Sequence, residues 1–245
     1  MPEGPSIVIL REAVASFTGK IIREVNGNTK QDVSVLKGKR ISAFLTWGKH
    51  FLICAGAYKL RIHFLLFGSY LVNDTKPATP RLQLRFAKGE INFYACSVQF
   101  IDEDLDDVYD WTADIMNPRW DARKAGQKLR AKPEMLVCDA ILDQDIFAGA
   151  GNIFKNEVLY RIKVHPLSTV GSLTPAKLRE LIRETHHYAF QFLEWKKAYV
   201  LRKNWLAHTK KTCKRCNLPL HKEYLGKTKR RTFFCTNCQK LYDKS

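Results

Sequence analysis

Four cysteines near the C-terminus constrain this chain more than any other feature of its sequence. They form two pairs, Cys213-x2-Cys216 and Cys235-x2-Cys238, and 18 residues separate one pair from the other. Two residues between the members of a pair allow a tight turn to direct both thiolates at one ion, and two such pairs complete a tetrahedral zinc site. We therefore predict that a structural Zn²⁺ ion holds this segment in a compact finger.

The alternative for these cysteines is a pair of disulfide bonds. Disulfides persist in oxidising compartments, but no apolar signal segment opens the chain. The other cysteines, Cys54, Cys96 and Cys138, lie in apolar stretches, as ordinary buried thiols do. Zinc binding in a reducing cytoplasm, with association with the nucleoid in a bacterium, is the interpretation that these observations favour.

The charge of the chain indicates a polyanionic partner. Lys and Arg number 41 and Asp and Glu number 24, which gives a formal net charge of +17. Nucleic acid is the usual partner of so basic a protein. A membrane surface attracts the same charge, but no run of 18 apolar residues occurs, and the basic stretch 196–231 lacks the pattern of an amphipathic helix. We expect nucleic acid as the partner and no membrane association.

Between residues 33 and 100 the chain has the pattern of short strands. Several of the segments alternate in apolar and polar residues, and Gly, Pro, Asn and Asp separate the segments, which is typical of a β-sandwich. The acidic, strand-poor stretch 102–110 then favours an exposed connection, and Asn117-Pro118 marks a turn. The predicted strands are 40–47, 51–54, 59–64, 81–86 and 90–94.

Beyond this turn the apolar residues follow a helical period. Stripes at 136–141 and 158–162 indicate two helices, and Thr174 followed by Pro175 is typical of the start of a longer one. The predicted fold class is therefore α+β, with a β-sandwich, a helical region and a four-cysteine finger. The predicted domains are 1–115, 116–208 and 209–245.

The segment Gly149-Ala150-Gly151-Asn152 lies between two helical patterns. Glycine permits positive φ, and the amides at the start of the following helix can face an anion. A helix C-cap followed by an N-cap explains the same residues equally well. The net charge favours the phosphate-binding interpretation.

The N-terminus offers an amine and a carboxyl group in sequence. If Met1 is removed, Pro2 becomes a secondary amine with a pKa of roughly 8, which is a usable nucleophile near neutral pH. Such an amine can attack an aldehyde-like sugar carbon and form an iminium, while Glu3 is suited to proton transfer at the same centre. A proline followed by a glutamate also suits the start of any helix.

Taken together, Pro2-Glu3-Gly4-Pro5, the turn at 143–152 and the four-cysteine finger resemble the formamidopyrimidine-DNA glycosylase and endonuclease VIII family of base-excision repair enzymes. The opening is closer to the endonuclease VIII branch. The resemblance implies an N-terminal β-sandwich, a helix-two-turns-helix domain and a zinc-finger hairpin, with DNA bound between the two domains.

The implied activity is that of a bifunctional DNA glycosylase and AP lyase. It acts on a duplex with a damaged base or abasic site and cuts the strand by β,δ-elimination. We expect a monomer, because nothing in the sequence requires a partner subunit. One alternative is a catalytically silent DNA-binding protein on the same scaffold, and another is a zinc-ribbon RNA-binding module.

The resemblance also implies roles for individual residues. Pro2 corresponds to the Schiff-base nucleophile and Glu3 to the general acid. Lys49 matches a lysine that assists β-elimination, although it also suits an ordinary solvated turn. Arg230 matches the arginine that contacts the phosphate beside the lesion and takes part in δ-elimination, and Arg231 is its adjacent competitor.

Further positions correspond to DNA contacts in the family. Asn152 matches a DNA-contacting asparagine, and His63 matches a histidine ahead of the segment that fills the gap left by an extruded base. That segment, Leu65-Leu66-Phe67, is wholly apolar, which suits a wedge that replaces lost base stacking. An apolar run of this kind also suits a buried strand.

The sequence departs from the family pattern at three places. Ser6 stands where the family commonly has a second glutamate, and a hydroxyl cannot replace that charge. No arginine equivalent to the one that relatives insert into the duplex precedes Asn117, and Leu65 stands where the endonuclease VIII branch often has glutamine. The first departure favours the silent alternative, and the other two leave the lesion preference open.

Overall fold

The computed structural model describes residues 2–243 and divides into two compact units, Met1–Asp110 and Trp111–Ser245. The first unit combines helices with two four-stranded sheets, and the second combines helices with a two-stranded hairpin. This architecture confirms the predicted α+β fold class. Within the described residues, no helix is both long enough and apolar enough to cross a membrane.

The first unit is a β-sandwich with a helix packed against it. Its strands are β1 (Glu24–Asn26), β2 (Ile41–Trp47), β3 (His50–Ala55), β4 (Tyr58–His63), β5 (Ser69–Val72), β6 (Leu82–Arg85), β7 (Glu90–Tyr94) and β8 (Ser97–Ile101). They form antiparallel sheets of order β1-β6-β7-β5 and β2-β3-β4-β8. Helix α1 (Gly4–Ala13) packs on β2 and β3. Five of these strands, β2, β3, β4, β6 and β7, overlap the segments that the sequence predicts.

The core of this unit lies between the two sheets. Phe51 of β3 and Phe93 of β7 are fully buried, with ring centroids 5.9 Å apart. Helix α1 contributes Ile7 and Leu10 to the same cluster. Burial of each such side chain contributes about 1.5–3 kcal/mol to stability. The core therefore fixes the strands, and the strands position the loops at the sheet ends.

The acidic stretch after β8 contains one helical turn, α2 (Leu105–Val108), capped by the Asp104 side chain. Leu105 and Tyr109 are buried, while the carboxylates between residues 102 and 107 are exposed. The connection is therefore exposed through its acidic side chains, and two apolar residues anchor it.

The second unit contains four α-helices among its described residues: α3 (Ala122–Arg130), α4 (Val137–Ala140), α5 (Asn152–Arg161) and α6 (Pro175–Lys197). The Thr174 hydroxyl accepts the N–H of Lys177 at 3.2 Å, and Pro175 lies in the first turn, so the predicted start of α6 is confirmed. Helix α5 is buried along almost its whole length, because it packs against α6 on one side and a β-hairpin on another.

That hairpin consists of β9 (His221–Leu225) and β10 (Arg230–Phe234), paired from Arg230 opposite Leu225 to Phe234 opposite His221. Strand β9 is mostly exposed, whereas the second half of β10 is buried. An isolated two-stranded hairpin is marginally stable at best in water. The packing of β10 on α5 therefore supplies support that the hairpin lacks by itself.

Candidate functional site

The N-terminal residues lead directly into α1. Pro2 is half-buried, and Glu3 occupies the N-cap position with a fully buried side chain. The Glu3 carbonyl accepts the N–H of Ser6 at 2.7 Å, which closes the first turn, and Ser6 is itself buried. A carboxyl group shielded from water therefore lies one residue from Pro2.

Lys49 lies in the two-residue turn between β2 and β3. Trp47 pairs with His50 across this turn, and Gly48 takes a φ of +54°, in the region that favours glycine. Lys49 is half-buried, so it differs from the fully solvated turn residue that the sequence also allowed. Because α1 packs on the same two strands, the core of the first unit supports both Lys49 and the helix that follows Pro2.

Two histidines lie beside this turn. His50 and His63 are paired across β3 and β4, and their ring centroids are 5.4 Å apart. Burial, followed by the charges of Arg61, His63 and Lys49, lowers the pKa of His50 to about 3. Burial, together with the charges of Lys49 and Arg61, also lowers the pKa of His63. Both imidazoles are therefore neutral at pH 7 and add no positive charge beside Lys49.

The segment Leu65-Leu66-Phe67 forms an exposed turn between β4 and β5. Leu65 and Leu66 are each 52% exposed, and Phe67 is 86% exposed. The N–H of Gly68 donates to the Phe64 carbonyl at 2.8 Å and closes the turn. The alternative that these residues form a buried strand does not hold. Clustered apolar side chains in water mark an interaction site.

Gln144 holds the glycine turn that precedes α5. Its side-chain NH₂ donates to the carbonyls of Leu142 at 2.7 Å and Ala150 at 3.0 Å, and its oxygen accepts the N–H of Gly149 at 3.1 Å. Gly149 takes a φ of +101°. Gly151 is the N-cap of α5 and makes no side-chain cap bond. The positive end of the α5 dipole therefore directly follows this glycine turn.

Asn152 and the arginines of β10 lie next to each other. The Asn152 side-chain amide donates to the Arg231 carbonyl at 3.0 Å. Arg230 begins β10 and is half-buried, while Arg231 is exposed. Two parts of the chain that are 79 positions apart thus meet at the N-terminus of α5, and one of them carries two adjacent arginines.

The four cysteines of the finger also come together. Their Sγ atoms all lie within 4.8 Å of one another, with 3.8 Å between Cys213 and Cys238 and 3.5 Å between Cys216 and Cys235. A disulfide has a sulfur–sulfur distance of about 2.05 Å, so the disulfide alternative does not fit these free thiols. Zn–S bonds of about 2.3 Å in a tetrahedron separate the sulfurs by about 3.8 Å. The four thiols therefore fit one Zn²⁺ ion.

Two family models match consecutive parts of the chain. Residues 1–100 match the formamidopyrimidine-DNA glycosylase N-terminal domain, and residues 113–199 match the formamidopyrimidine-DNA glycosylase H2TH domain. The chain belongs to the formamidopyrimidine-DNA glycosylase and endonuclease VIII family. The resemblance inferred from the sequence motifs is thereby confirmed.

Named relatives fall in the endonuclease VIII branch. Endonuclease 8-like 3 of Bos taurus is 27% identical over 233 residues, which cover 88% of this chain and 37% of that protein. The chain therefore spans little more than a third of the length of that relative. The DNA-(apurinic or apyrimidinic site) lyase Nei2 of Mycolicibacterium smegmatis is 25% identical over 252 residues, which cover 98% of this chain and 99% of that protein.

The fold is also found among solved structures. Lactococcus lactis formamidopyrimidine-DNA glycosylase, non-covalently bound to DNA that contains an AP site, superposes with a TM-score of 0.85 at 20% identity. The match covers 97% of this chain and 99% of that one. The similarity establishes a common fold over the matched 97% of this chain.

Sequence patterns did not identify three polar residues of α5, Lys155, Asn156 and Glu157, all of which are buried. The Glu157 carboxylate accepts the N–H groups of residues 206–208 at 2.8–3.1 Å, and the other two side chains contact β10. The sequence feature that could have revealed them is the polar run Lys-Asn-Glu, which has apolar residues on both sides within one helix. Buried charged residues require polar partners elsewhere in the chain.

Proposed function

We propose that this protein is a bifunctional DNA glycosylase and AP lyase of base-excision repair. It removes an oxidised base from DNA and cuts the strand at the resulting abasic site. The observation that carries the proposal is Pro2 next to the buried Glu3 carboxyl group at the start of α1, in a chain of this family. A nucleophile beside a proton donor is the arrangement that this chemistry needs.

Pro2 supplies the nucleophile after Met1 has been removed. Its secondary amine forms a bond to C1′ of the nucleotide, the bond from C1′ to the base breaks, and the base leaves with that electron pair and the amine proton. Glu3 then protonates the sugar ring oxygen, which opens the ring and gives an iminium between Pro2 and C1′.

The iminium withdraws electrons from the sugar and makes elimination possible. Loss of a C2′ proton expels the 3′ phosphate, a further proton loss expels the 5′ phosphate, and water then hydrolyses the iminium and restores the amine. We assign Lys49 to the first elimination. We assign Arg230 to the phosphate beside the lesion and to the second elimination, because its carbonyl contacts Lys155 of α5 and the carbonyl of its neighbour Arg231 contacts Asn152.

The partner in this proposal is DNA that contains a damaged base or an abasic site. The net charge of +17 supplies the general attraction, and the turn 65–67 supplies an exposed apolar wedge for the gap left by an everted base. His63, Asn152 and Arg230 are the proposed contacts to the strand. Contacts to phosphates release counterions, so affinity falls steeply as salt rises.

Zinc has a structural role in this proposal. Cys213, Cys216, Cys235 and Cys238 would hold the ion, and four Zn–S bonds would connect the segment before β9 to the segment after β10. Because β10 carries Arg230, the ion acts on DNA binding through the position of the hairpin.

A catalytically silent DNA-binding protein is the second candidate, and the neutral Ser6 buried beside Glu3 favours it. A nicking assay on duplexes with an abasic site or an oxidised pyrimidine separates the two candidates, with Pro2→Ala and Ser6→Glu as variants. We expect the wild type to cut both duplexes and Pro2→Ala to bind without cutting. Binding without cutting by the wild type, with cutting restored by Ser6→Glu, would establish the silent candidate instead.

A further inference from the structure

The hairpin that carries Arg230 is held by side chains of two helices. At its tip, both oxygens of the Asp139 carboxylate, from α4, accept the N–H of Lys227 at 3.0 and 2.9 Å. Asn156 of α5 accepts the N–H of Phe233 at 2.9 Å further along β10. The backbone between these two anchors contains Arg230, so its position depends on what holds that stretch.

Lys155 of α5 holds this stretch directly. Its side chain is fully buried, and its Nζ donates to the carbonyls of Arg230 at 3.4 Å and Arg231 at 3.2 Å and to the Thr232 hydroxyl at 2.8 Å. Three acceptors match the three N–H groups of an ammonium ion. All polar contacts of this ammonium group are with β10, and no carboxylate of the described residues forms an ion pair with it.

The two carbonyls have different side-chain donors besides Lys155. The Arg231 carbonyl also accepts the amides of Asn152 at 3.0 Å and Asn156 at 3.4 Å. The Arg230 carbonyl also accepts the Thr232 hydroxyl at 3.0 Å, and Lys155 donates to the oxygen of that hydroxyl. Loss of the ammonium group therefore removes one donor from the Arg230 carbonyl and releases the Thr232 hydroxyl, while the Arg231 carbonyl keeps the two asparagine amides.

A buried cation without a carboxylate partner is costly, because desolvation favours the neutral form. A methionine of similar length fills the same space without that cost. The lysine therefore does more than fill space. Its contacts indicate that it acts by holding the backbone of β10.

We propose that Lys155 is a positioning residue that fixes the Arg230 guanidinium at the N-terminus of α5. The inference rests on the proposed function insofar as Arg230 acts in the second elimination. Lys155 touches neither DNA nor the reacting atoms in this proposal and acts only through the backbone of β10.

Lys155→Met tests the inference, with Lys177→Met as the matched control. The Lys177 ammonium also supports the backbone, through the Ile162 carbonyl at 2.9 Å, but it lies on α6 away from β10. We expect Lys155→Met to reduce the fraction of product from the second elimination by about ten- to a hundredfold, while zinc content and the rate of borohydride trapping stay within about twofold of the wild type. Lys177→Met should leave the product fraction unchanged.

A combined variant provides the decisive comparison. In an Arg230→Gln background, Lys155→Met should have no further effect on the product fraction, because the group that it positions has been removed. Additive effects, or a parallel loss of trapping and elimination, would overturn the inference.

The NMR signal of the Arg230 Nε–H group tests the inference independently of catalysis. It should shift or broaden in Lys155→Met and stay unchanged in Lys177→Met, and an unchanged signal in both variants would refute the positioning role. If the wild type performs no elimination, the proposed function fails, while this signal still decides the role of Lys155.

Discussion

Replacement of Phe67 by alanine should impair function and leave folding almost unchanged. Burial of a phenylalanine side chain contributes about 1.5–3 kcal/mol. Phe67 is 86% exposed in the free protein, so about 1.3–2.6 kcal/mol of that contribution remains available when the ring inserts between bases. Because about 1.4 kcal/mol corresponds to a tenfold change in Kd, Phe67→Ala should weaken binding to abasic-site DNA by about 10- to 70-fold.

The assay is fluorescence anisotropy with a duplex that carries a non-cleavable abasic analogue, together with thermal unfolding of each variant. The free energy of unfolding should change by less than about 0.5 kcal/mol, because the ring is hardly buried. Phe190→Ala, on α6 and 43% exposed, is the control for affinity and should leave lesion affinity unchanged, although loss of its half-buried ring should cost about 0.9–1.7 kcal/mol of stability. Unchanged lesion affinity in Phe67→Ala, or equal losses for lesion and undamaged duplexes, would refute the wedge.

Three further predictions concern the turn, the metal and a buried charge. In Gly68→Ala, the new Cβ would collide with the Phe64 carbonyl, so lesion affinity should fall at least as far as in Phe67→Ala in the same anisotropy assay. Zinc chelation should abolish DNA binding, and added Zn²⁺ but not Mg²⁺ should restore it. Burial lowers the pKa of Lys155 from 10.5 to about 8, in surroundings that include Cys138, Asp139 and Arg230. Between pH 8 and pH 10.5 the unfolded chain therefore keeps a proton on this lysine that the folded protein has largely lost. The contribution of this group to the free energy of unfolding thus rises with pH. Denaturant titrations of the wild type and Lys155→Met should show the wild type gaining about 2 kcal/mol relative to the variant from pH 7 to 9.5, and a constant difference would contradict this assignment.

The sequence predicted the interior strands of the sandwich better than its edges. The predicted strands are the edge strand β2 and all four interior strands, β3, β4, β6 and β7. Residues of β2 and β4 alternate between buried and more exposed positions, whereas most residues of β3, β6 and β7 are buried. The three strands that the patterns did not reveal, β1, β5 and β8, all lie at sheet edges. An edge strand is defined by pairing with its one neighbour, and a single sequence does not contain that pairing.

The candidate site shows a similar division. The N-terminal motif and the cysteine spacing are local, so the sequence reveals them directly. The exposure of the turn 65–67 depends on which parts of the chain cover it, and an apolar run alone is compatible with a core strand. The contact from Lys155 to the Arg231 carbonyl joins residues 76 positions apart, and no spacing rule for one chain predicts such a contact.

The central claim is that the amine of Pro2 forms a covalent bond to deoxyribose, and peptide mapping of a trapped adduct tests it most directly. Protein shown by mass spectrometry to begin at Pro2 is incubated with an abasic-site duplex and sodium borohydride and then digested. The account predicts a reduced sugar adduct on the N-terminal peptide, located at Pro2, and no adduct in Pro2→Ala. An adduct located at Lys49 or another lysine, or no adduct while the strand is still cut, would contradict it.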